Sequence, residues 1–352
     1  MSGSRSPTWG VGCWQTHVLD DLLGMVEVAE LRRFDHLWYG NEKLHPDMWI
    51  GLTAAALHST RLRIGTFIAD PYSLHPALIA AMIATLDHYS ARRAVLVFGA
   101  GGSGLRELGI ERRQPVATVA AAVDVVRSLL RGERVVREGP YFAADAQLHF
   151  SARSDLPIWI ASRAPRMLEL AGRVADGAMI GTVAAAKDIE AALASIEAGA
   201  AAAGRRRSDL TTSVRVDVSV ADDAKAARDA LRGFVAGVLS ASYPNRDFVE
   251  RAGVEVPGEL EEVCRTKDLQ RAWESGHLVP DDLVDVLTWA GTADEVASRV
   301  AAAIELGVDN VTVMFHPQAG EPAKQLDRFA EDVLPRVAAL RSAPVTTANE
   351  GF

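Results

Sequence analysis

The sequence predicts an α/β protein: a single (β/α)8 TIM barrel, with insertions between its strands. Three observations carry that reading. Short apolar runs alternate with longer runs of helical period along the 352 residues, the pattern of a parallel sheet covered by helices. About eight such βα units occur with no Gly/Ser/Pro-rich linker between them, which favours a closed barrel over the alternative, an open doubly wound sheet with a second domain. The runs AVLVFG (Ala94–Gly99) and LPIWIA (Leu156–Ala161) are apolar throughout, as strands covered on both faces should be.

Taken in order, Thr8–Cys13 reads as the first strand and Val18–Arg32 as a helix with Leu22, Leu23, Met25 and Val26 on or near one face. His36–Tyr39 is strand-like and Asp47–His58 helical. Arg61–Ala69 is the third strand. His75–Tyr89 is a helix: Pro76 suits its first position, and Leu78, Ile79, Met82, Ile83 and Leu86 form one stripe. Ala94–Gly99 is followed by a helix at Pro115–Arg131, then by a hairpin excursion at Glu133–Phe150 around Gly139-Pro140. Leu156–Ala161, Pro165–Val174, Asp176–Gly181 and Ala184–Ala203 continue the alternation. Thr211–Val220 alternates polar and apolar residues as a strand, and Asp223–Ala241 is helical. Residues 242–289 read as a helical insertion. Thr292-x-x-Glu295 is a capping box for a helix ending near Gly307, Asn310–Phe315 is the last strand, and Ala323–Leu340 closes the chain. The organisation expected is one barrel domain over residues 1–345 and a tail at 346–352.

Composition narrows the function classes. A formal charge of −9 lacks the basic footprint of a nucleic-acid protein. No apolar run approaches the roughly 20 residues of a spanning helix, so no membrane role is expected. The start MSGSRSPTWG has no apolar core of a signal peptide. The two cysteines, Cys13 and Cys264, exclude a disulfide framework and a four-thiolate metal site, and point to a reduced, cytoplasmic protein; Cys13 could face the barrel interior. Trp38, Trp159 and Trp289 read as core. No H-x-H or H-E-x-x-H spacing offers a metal site, and no G-x-S-x-G marks a hydrolase elbow.

Four strand ends draw attention. Phe34–His45 is apolar at first and then turns polar at Gly40-Asn41-Glu42-Lys43, which is either a solvated loop or the rim of a site. Phe67–Pro76 places Asp70, Tyr72 and His75 together, as site residues or as turn and capping chemistry. Gly99–Gly104 holds four glycines in six residues. Its G-x-G-x-x-G spacing does not open a helix, since the next one starts near Pro115, so a dinucleotide fingerprint fits poorly. A loop that lets a planar ligand approach backbone fits better, and a plain flexible turn stays open. Ala161-Ser162-Arg163-Ala164-Pro165-Arg166 precedes a helix: it is an anion site, or Ser162 is a cap beside solvated arginines. Gly181-Thr182 would lie beside it in a barrel.

These residues carry a resemblance. F-D-x-L-W at Phe34–Trp38, the run RLRIGTFIADPYSLHPALIAAMIATLDHYSARRAVLVFGAGG, the run P-I-W-I-A-S-x-x-P-R-M-L-E-L-A-G-R-V-A-D-G and the run VPDDLVDVLTWAGTADEVASRV occur in that order. Over about Trp9–Val337 the chain resembles the bacterial luciferase-like superfamily, and within it the coenzyme F420-dependent reductases of the methylenetetrahydromethanopterin reductase type. The resemblance implies a TIM barrel, usually a homodimer, with a flavin or deazaflavin at the C-terminal strand ends. It implies a non-prolyl cis peptide near Phe67–Ile68 behind the ring system, with Asp70 following. It puts Gly99, Ala100 and Gly101 along the cofactor. It sets the phosphate near Ala161, Ser162, Arg163, Ala164, Pro165, Arg166, Gly181 and Thr182, with Arg163, Arg166 and Lys187 toward the acidic tail. Many members carry glycine at Ala164. Deazaflavin members commonly carry Asp-His where this chain has Asn41-Glu42, so Glu42 becomes the candidate acid/base and Asn41 a hydrogen-bonding partner. The activity implied is hydride transfer between F420 and a small organic substrate with an activated C=C or C=N bond, bound near Trp14, Tyr72, His75 and the insertion. An FMN-dependent two-component monooxygenase, or a barrel that binds a flavin without catalysis, are the alternatives.

Overall fold

A computed structural model describes residues 6–14, 19–102, 104–139 and 142–342. Its strands are β1 (Thr8–Cys13), β2 (His36–Gly40), β3 (Arg63–Phe67), β4 (Ala94–Phe98), β5 (Val135–Arg137), β6 (Ala144–Ala146), β7 (Ile158–Ser162), β8 (Gly177–Gly181), β9 (Thr211–Val220), β10 (Thr288–Gly291) and β11 (Asn310–Phe315). Eight of them close a parallel ring in the order β1-β2-β3-β4-β7-β8-β9-β11, with β11 back on β1. This is the expected (β/α)8 barrel. β5 and β6 form the expected hairpin outside the ring.

Local chemistry sets the helices. Asp47 caps Met48–His58 by accepting from the Ile50 amide, and Thr292 and Glu295 form the expected reciprocal box before Ala293–Glu305. Proline opens Pro76–Tyr89, Pro115–Leu130 and Pro165–Val174, where its missing N–H has no intrahelical partner to lose.

Successive strand residues point alternately in and out, and the inward set fills the barrel below its C-terminal mouth. The Trp38 indole donates to Thr312 Oγ1 at 2.9 Å, stacks on His36 with ring centroids 5.0 Å apart, and meets Trp159 at 5.1 Å. Glycines make the room: a Cβ on Gly65 would lie 2.2 Å from the Trp38 ring, and one on Gly177 2.5 Å from Trp159. Asn310 gathers the polar atoms beneath, accepting from Ser213 and Thr312 and donating to Thr8.

His36 belongs to this sealed layer. Burial, helped by the Arg63 charge, pushes its imidazole down to about 3, and the Asn310 amide lies 3.3 Å from its Nδ1, which a neutral ring can accept. The unfolded chain therefore binds a proton near pH 6.5 that the folded chain does not. The stability contribution is complete above pH 6.5 and is lost between there and about pH 3, at about 1.4 kcal/mol per pH unit. Urea midpoints measured from pH 8 to 4 should fall along that slope, and His36→Phe should flatten it.

Several expectations are revised. Gly10 and Gly12 face the interior, against Thr312 and Met314, so Cys13 points outward and packs in the shell between barrel and helices. Burial there raises its thiol to about 12. The stripe on Pro76–Tyr89 splits: Ile79, Ile83 and Leu86 are buried, whereas Leu78 and Met82 face outward. β3 stops at Phe67, before the extended run ends. The helix expected at Asp223–Ala241 is two helices, Ala224–Asp229 and Arg232–Ser242, joined where Arg232 turns back onto Asp229. Residues 247–287 carry four short helices, Asp247–Ala252, Gly258–Arg265, Leu269–Glu274 and Asp281–Leu287, and Thr288 and Trp289 lie on β10, which pairs alongside the upper half of β9. The last helical stretch carries a π turn at Phe329–Val333. Val18, Ser103, Pro140 and the tail at 346–352 lie outside the described residues.

Candidate active site

The strand ends divide the mouth into two halves of different chemistry. On β3, β4, β7 and β8 the upper inward positions are Phe67, Gly99, Ala161 and Gly181. On β1, β2, β9 and β11 the upper positions are Trp14, Glu42, Arg215 with Asp217, and His316. One half is small and apolar, and the other is ionisable.

The small half is built around the Phe67–Ile68 peptide, which is cis as expected. Asn41 donates from Nδ2 to the Ile68 carbonyl at 2.9 Å, so its amide is committed to this peptide. Gly99 packs closely on Ile68: a Cβ there would lie 2.0 Å from Ile68 Cδ1, so the Ile68 side chain would have to move. Gly104, at φ +73, turns the loop over Lys43, whose Cβ is 2.2 Å from where a side chain would start. Lys43 in turn gives a buried ion pair to Asp70 at 2.8 Å.

Asp70 is fully occupied. Besides Lys43 it accepts from the Tyr72 and Ser73 amides and from Ser73 Oγ. Burial works to raise its pKa, but the Lys43 ammonium and the Ser73 donors outweigh that and hold the carboxyl below its usual value. Tyr72 donates its hydroxyl to the Arg113 carbonyl at 2.7 Å. His75 Nδ1 accepts from the Ala77 amide, so its Nε2–H donates to the Ala143 carbonyl at 2.8 Å. These hydrogen bonds are the turn and capping chemistry of the strand end.

At the end of β7, Ser162 Oγ accepts from the Ala164 amide, while Ala164 itself gives Pro165–Val174 no side-chain cap. Arg163 turns under the insertion. It donates to Ser242 Oγ and lies 4.6 Å over the Phe248 ring. One of its guanidinium nitrogens, Nη1, is buried without a partner among the described residues. Burial and the Arg246 charge pull its pKa down, opposed by Asp188. Arg166 and Lys187 are exposed. Beside them Gly181 is open, with no atom within 4 Å of an added Cβ.

The ionisable half holds residues the sequence reading missed. Arg215 is 2% exposed, and its guanidinium pairs with Asp217 through Nη1 (2.8 Å) and Nη2 (2.9 Å). It also donates to Thr182 Oγ1 at 3.0 Å and lies 5.4 Å over Phe67 and 5.1 Å over Trp14. Burial lowers its pKa, opposed by Asp217 and then by the charge of Glu42. Asp217 Oδ1 also binds His316 Nε2 at 2.7 Å. Glu42 is half-buried, and its carboxylate makes no hydrogen bond among the described residues. A signal was present: the alternation of TTSVRVDVSV puts Ser213, Arg215, Asp217 and Ser219 on one face, and an arginine two residues before an aspartate on the inward face of a barrel strand is a charge pair in the core.

Residues 5–310 match the model of a family described as luciferase-like monooxygenase. A 5,10-methylenetetrahydromethanopterin reductase of Archaeoglobus fulgidus is 31% identical over 317 residues, covering 89% of this chain and 94% of the relative. An F420-dependent glucose-6-phosphate dehydrogenase of Beutenbergia cavernae is 30% identical over 336 residues, covering 91% and 94%. The solved coenzyme F420-dependent tetrahydromethanopterin reductase of Methanopyrus kandleri superposes with a TM-score of 0.82 at 24% identity, covering 95% of this chain and 100% of that one.

Proposed function

The chain belongs to the luciferase-like monooxygenase family, and within it we propose an oxidoreductase that uses coenzyme F420 on a small organic substrate. The observation that carries the reading is the divided mouth. A planar ring system fits the half that presents Phe67 with the small residues Gly99, Ala100, Gly101, Ala161 and Gly181 around the Phe67–Ile68 peptide. The unpartnered Arg163 Nη1 and the Ser162 hydroxyl suit an anionic tail at the β7 end. F420 supplies a hydride when bound. The chain's own part is to hold the ring against the Ile68 peptide through Asn41, to exclude water with the insertion, and to move a proton at Glu42.

Fluorescence titration with F420 and with FMN tests the cofactor: tight FMN binding without F420 binding would sink the reading and favour the two-component monooxygenase. With F420 bound, Glu42→Gln should lower turnover about 10²- to 10⁴-fold while F420 affinity stays within about threefold. Unchanged turnover would remove Glu42 from proton transfer.

We also propose a homodimer. Helices Met48–His58 and Pro76–Tyr89 together expose Ile50, Leu57, Leu78, Met82 and Tyr89, beside a groove of about 250 Å³ lined by Trp49, Thr53 and Ala81. An apolar face spread over two neighbouring helices suits a second copy of itself. Sedimentation should give a dimer, and a Leu78→Glu, Met82→Glu variant a folded monomer; a wild-type monomer at micromolar concentration would refute this. Both cysteines are free and buried, which suits a cytoplasmic setting.

A further inference from the structure

The Asp-His pair that deazaflavin relatives commonly carry after the second strand is absent here, yet an Asp–His pair stands in the same ionisable half of the mouth, on β9 and after β11. His316 Nε2 lies 2.7 Å from Asp217 Oδ1. Asp217 is fully buried and ion-paired, so as a carboxylate it can only accept, and Nε2 carries the hydrogen between them. That fixes Nδ1 of the neutral ring as an acceptor, and Nδ1 makes no hydrogen bond among the described residues. Trp14 packs beside it, ring centroids 5.7 Å apart, and its Nε1–H is buried without a partner among the described residues. An unpartnered donor and an unpartnered acceptor thus lie on neighbouring rings. Phe234 at 4.4 Å and Trp273 at 6.1 Å cover the other faces of the imidazole, so the pair is shielded from bulk water.

We propose that Trp14 and His316 grip one O–H or N–H group of the substrate, and that His316, backed by Asp217, is the proton-transfer residue on the substrate side of the mouth. The inference rests on the F420 reading and narrows the substrate to a carbon bearing a hydroxyl or amine, or the carbonyl or imine it interconverts with. In the oxidising direction the substrate C–H bond gives a hydride to F420, the O–H or N–H bond gives its proton to His316 Nδ1, and the C=O or C=N bond forms. The substrate loses two electrons and F420 gains them. In the reducing direction the imidazolium returns the proton to the heteroatom. Glu42 follows β2 and His316 follows β11, with β1 between them on the ring, and the Glu42 charge acts on Arg215 while Asp217 holds His316. The competing explanation is that His316 only pegs the insertion helices to the barrel.

The test uses the full chain, His316→Gln and Trp14→Phe. The readouts are F420 affinity, turnover of reduced F420 with a panel of ketones and cyclic imines, rescue by added imidazole, and diethyl pyrocarbonate labelling mapped by mass spectrometry. The expected result for His316→Gln is F420 affinity within about threefold of wild type, turnover down about 10²- to 10⁴-fold, and partial rescue by imidazole. Trp14→Phe should raise KM more than it lowers kcat, and His316 should be labelled in the unliganded wild type. Turnover of His316→Gln within threefold of wild type overturns the proposal, as does a loss that tracks F420 affinity and resists imidazole. If the wild type binds no F420, the coenzyme reading fails by itself. Labelling needs no coenzyme and then decides for His316, as it does if no panel compound turns over: an unlabelled His316 overturns its role, and a labelled one supports a reactive imidazole open to ligand.

Discussion

Gly181→Leu is expected to leave the unliganded protein as stable as the wild type and to weaken F420 binding at least about 100-fold, about 2.7 kcal/mol. The expectation comes from a contrast within one strand. Gly177 and Gly181 both lie on the inward face of β8. A side chain at Gly177 would drive into the Trp159 indole 2.5 Å away, so that glycine serves packing. A Cβ at Gly181 would meet nothing within 4 Å, and its φ is not in the left-handed region, so neither a clash at the first side-chain carbon nor the backbone requires glycine there. The remaining reason is a ligand that occupies the space, and the neighbours at that strand end, Ser162, Arg163 and Thr182, are donors suited to an anion. Thermal unfolding without ligand and fluorescence titration with F420 separate the two glycines. Gly177→Leu should lower the unfolding temperature sharply, and Gly181→Leu should not. Normal F420 affinity in Gly181→Leu would place the coenzyme elsewhere.

The barrel was legible because its cause is local and repeated. Strands such as Ala94–Phe98 are apolar on both faces, and helices such as Ala293–Glu305 carry their own start signal in the chain. The small half of the mouth was legible for a similar reason, since runs of glycine and alanine at strand ends stand out in sequence. The split of the Pro76–Tyr89 stripe was not legible: Leu78 and Met82 look the same in sequence whether a face meets the barrel or solvent. Asp70 and His75 were recognised as polar groups at a strand end, but their employment is set by Lys43, by Ser73 and by the Ala143 carbonyl, the first and last supplied from distant segments. Asp217 and His316 are 99 residues apart, and only the pairing of β9 with β11 brings them together.

Asp217→Leu should destabilise the protein by about 3–5 kcal/mol, because it strands the Arg215 guanidinium where no water can reach it. Arg215 is 2% exposed and Asp217 fully buried, so neither charge has solvent to fall back on. Burial already pulls Arg215 toward its neutral form, and Asp217 is the first of the charges that oppose this. The double variant Arg215→Met, Asp217→Leu should recover most of the loss, since apolar side chains of similar size pack the same space without a desolvation penalty. Equilibrium urea unfolding of the two single variants and the double gives the coupling directly; a cost under about 1 kcal/mol for Asp217→Leu would mean that the cluster is hydrated in solution. Recovery in the double variant would carry a second consequence. A core that folds as well without the ion pair does not need it for stability, and the position of the pair becomes the reason for it. Arg215 reaches Thr182, Phe67 and Trp14 from one guanidinium, and Asp217 holds His316. The double variant should therefore fold and yet fail at the chemistry of the mouth, because it removes the carboxylate that orients His316 and the cation that faces Glu42.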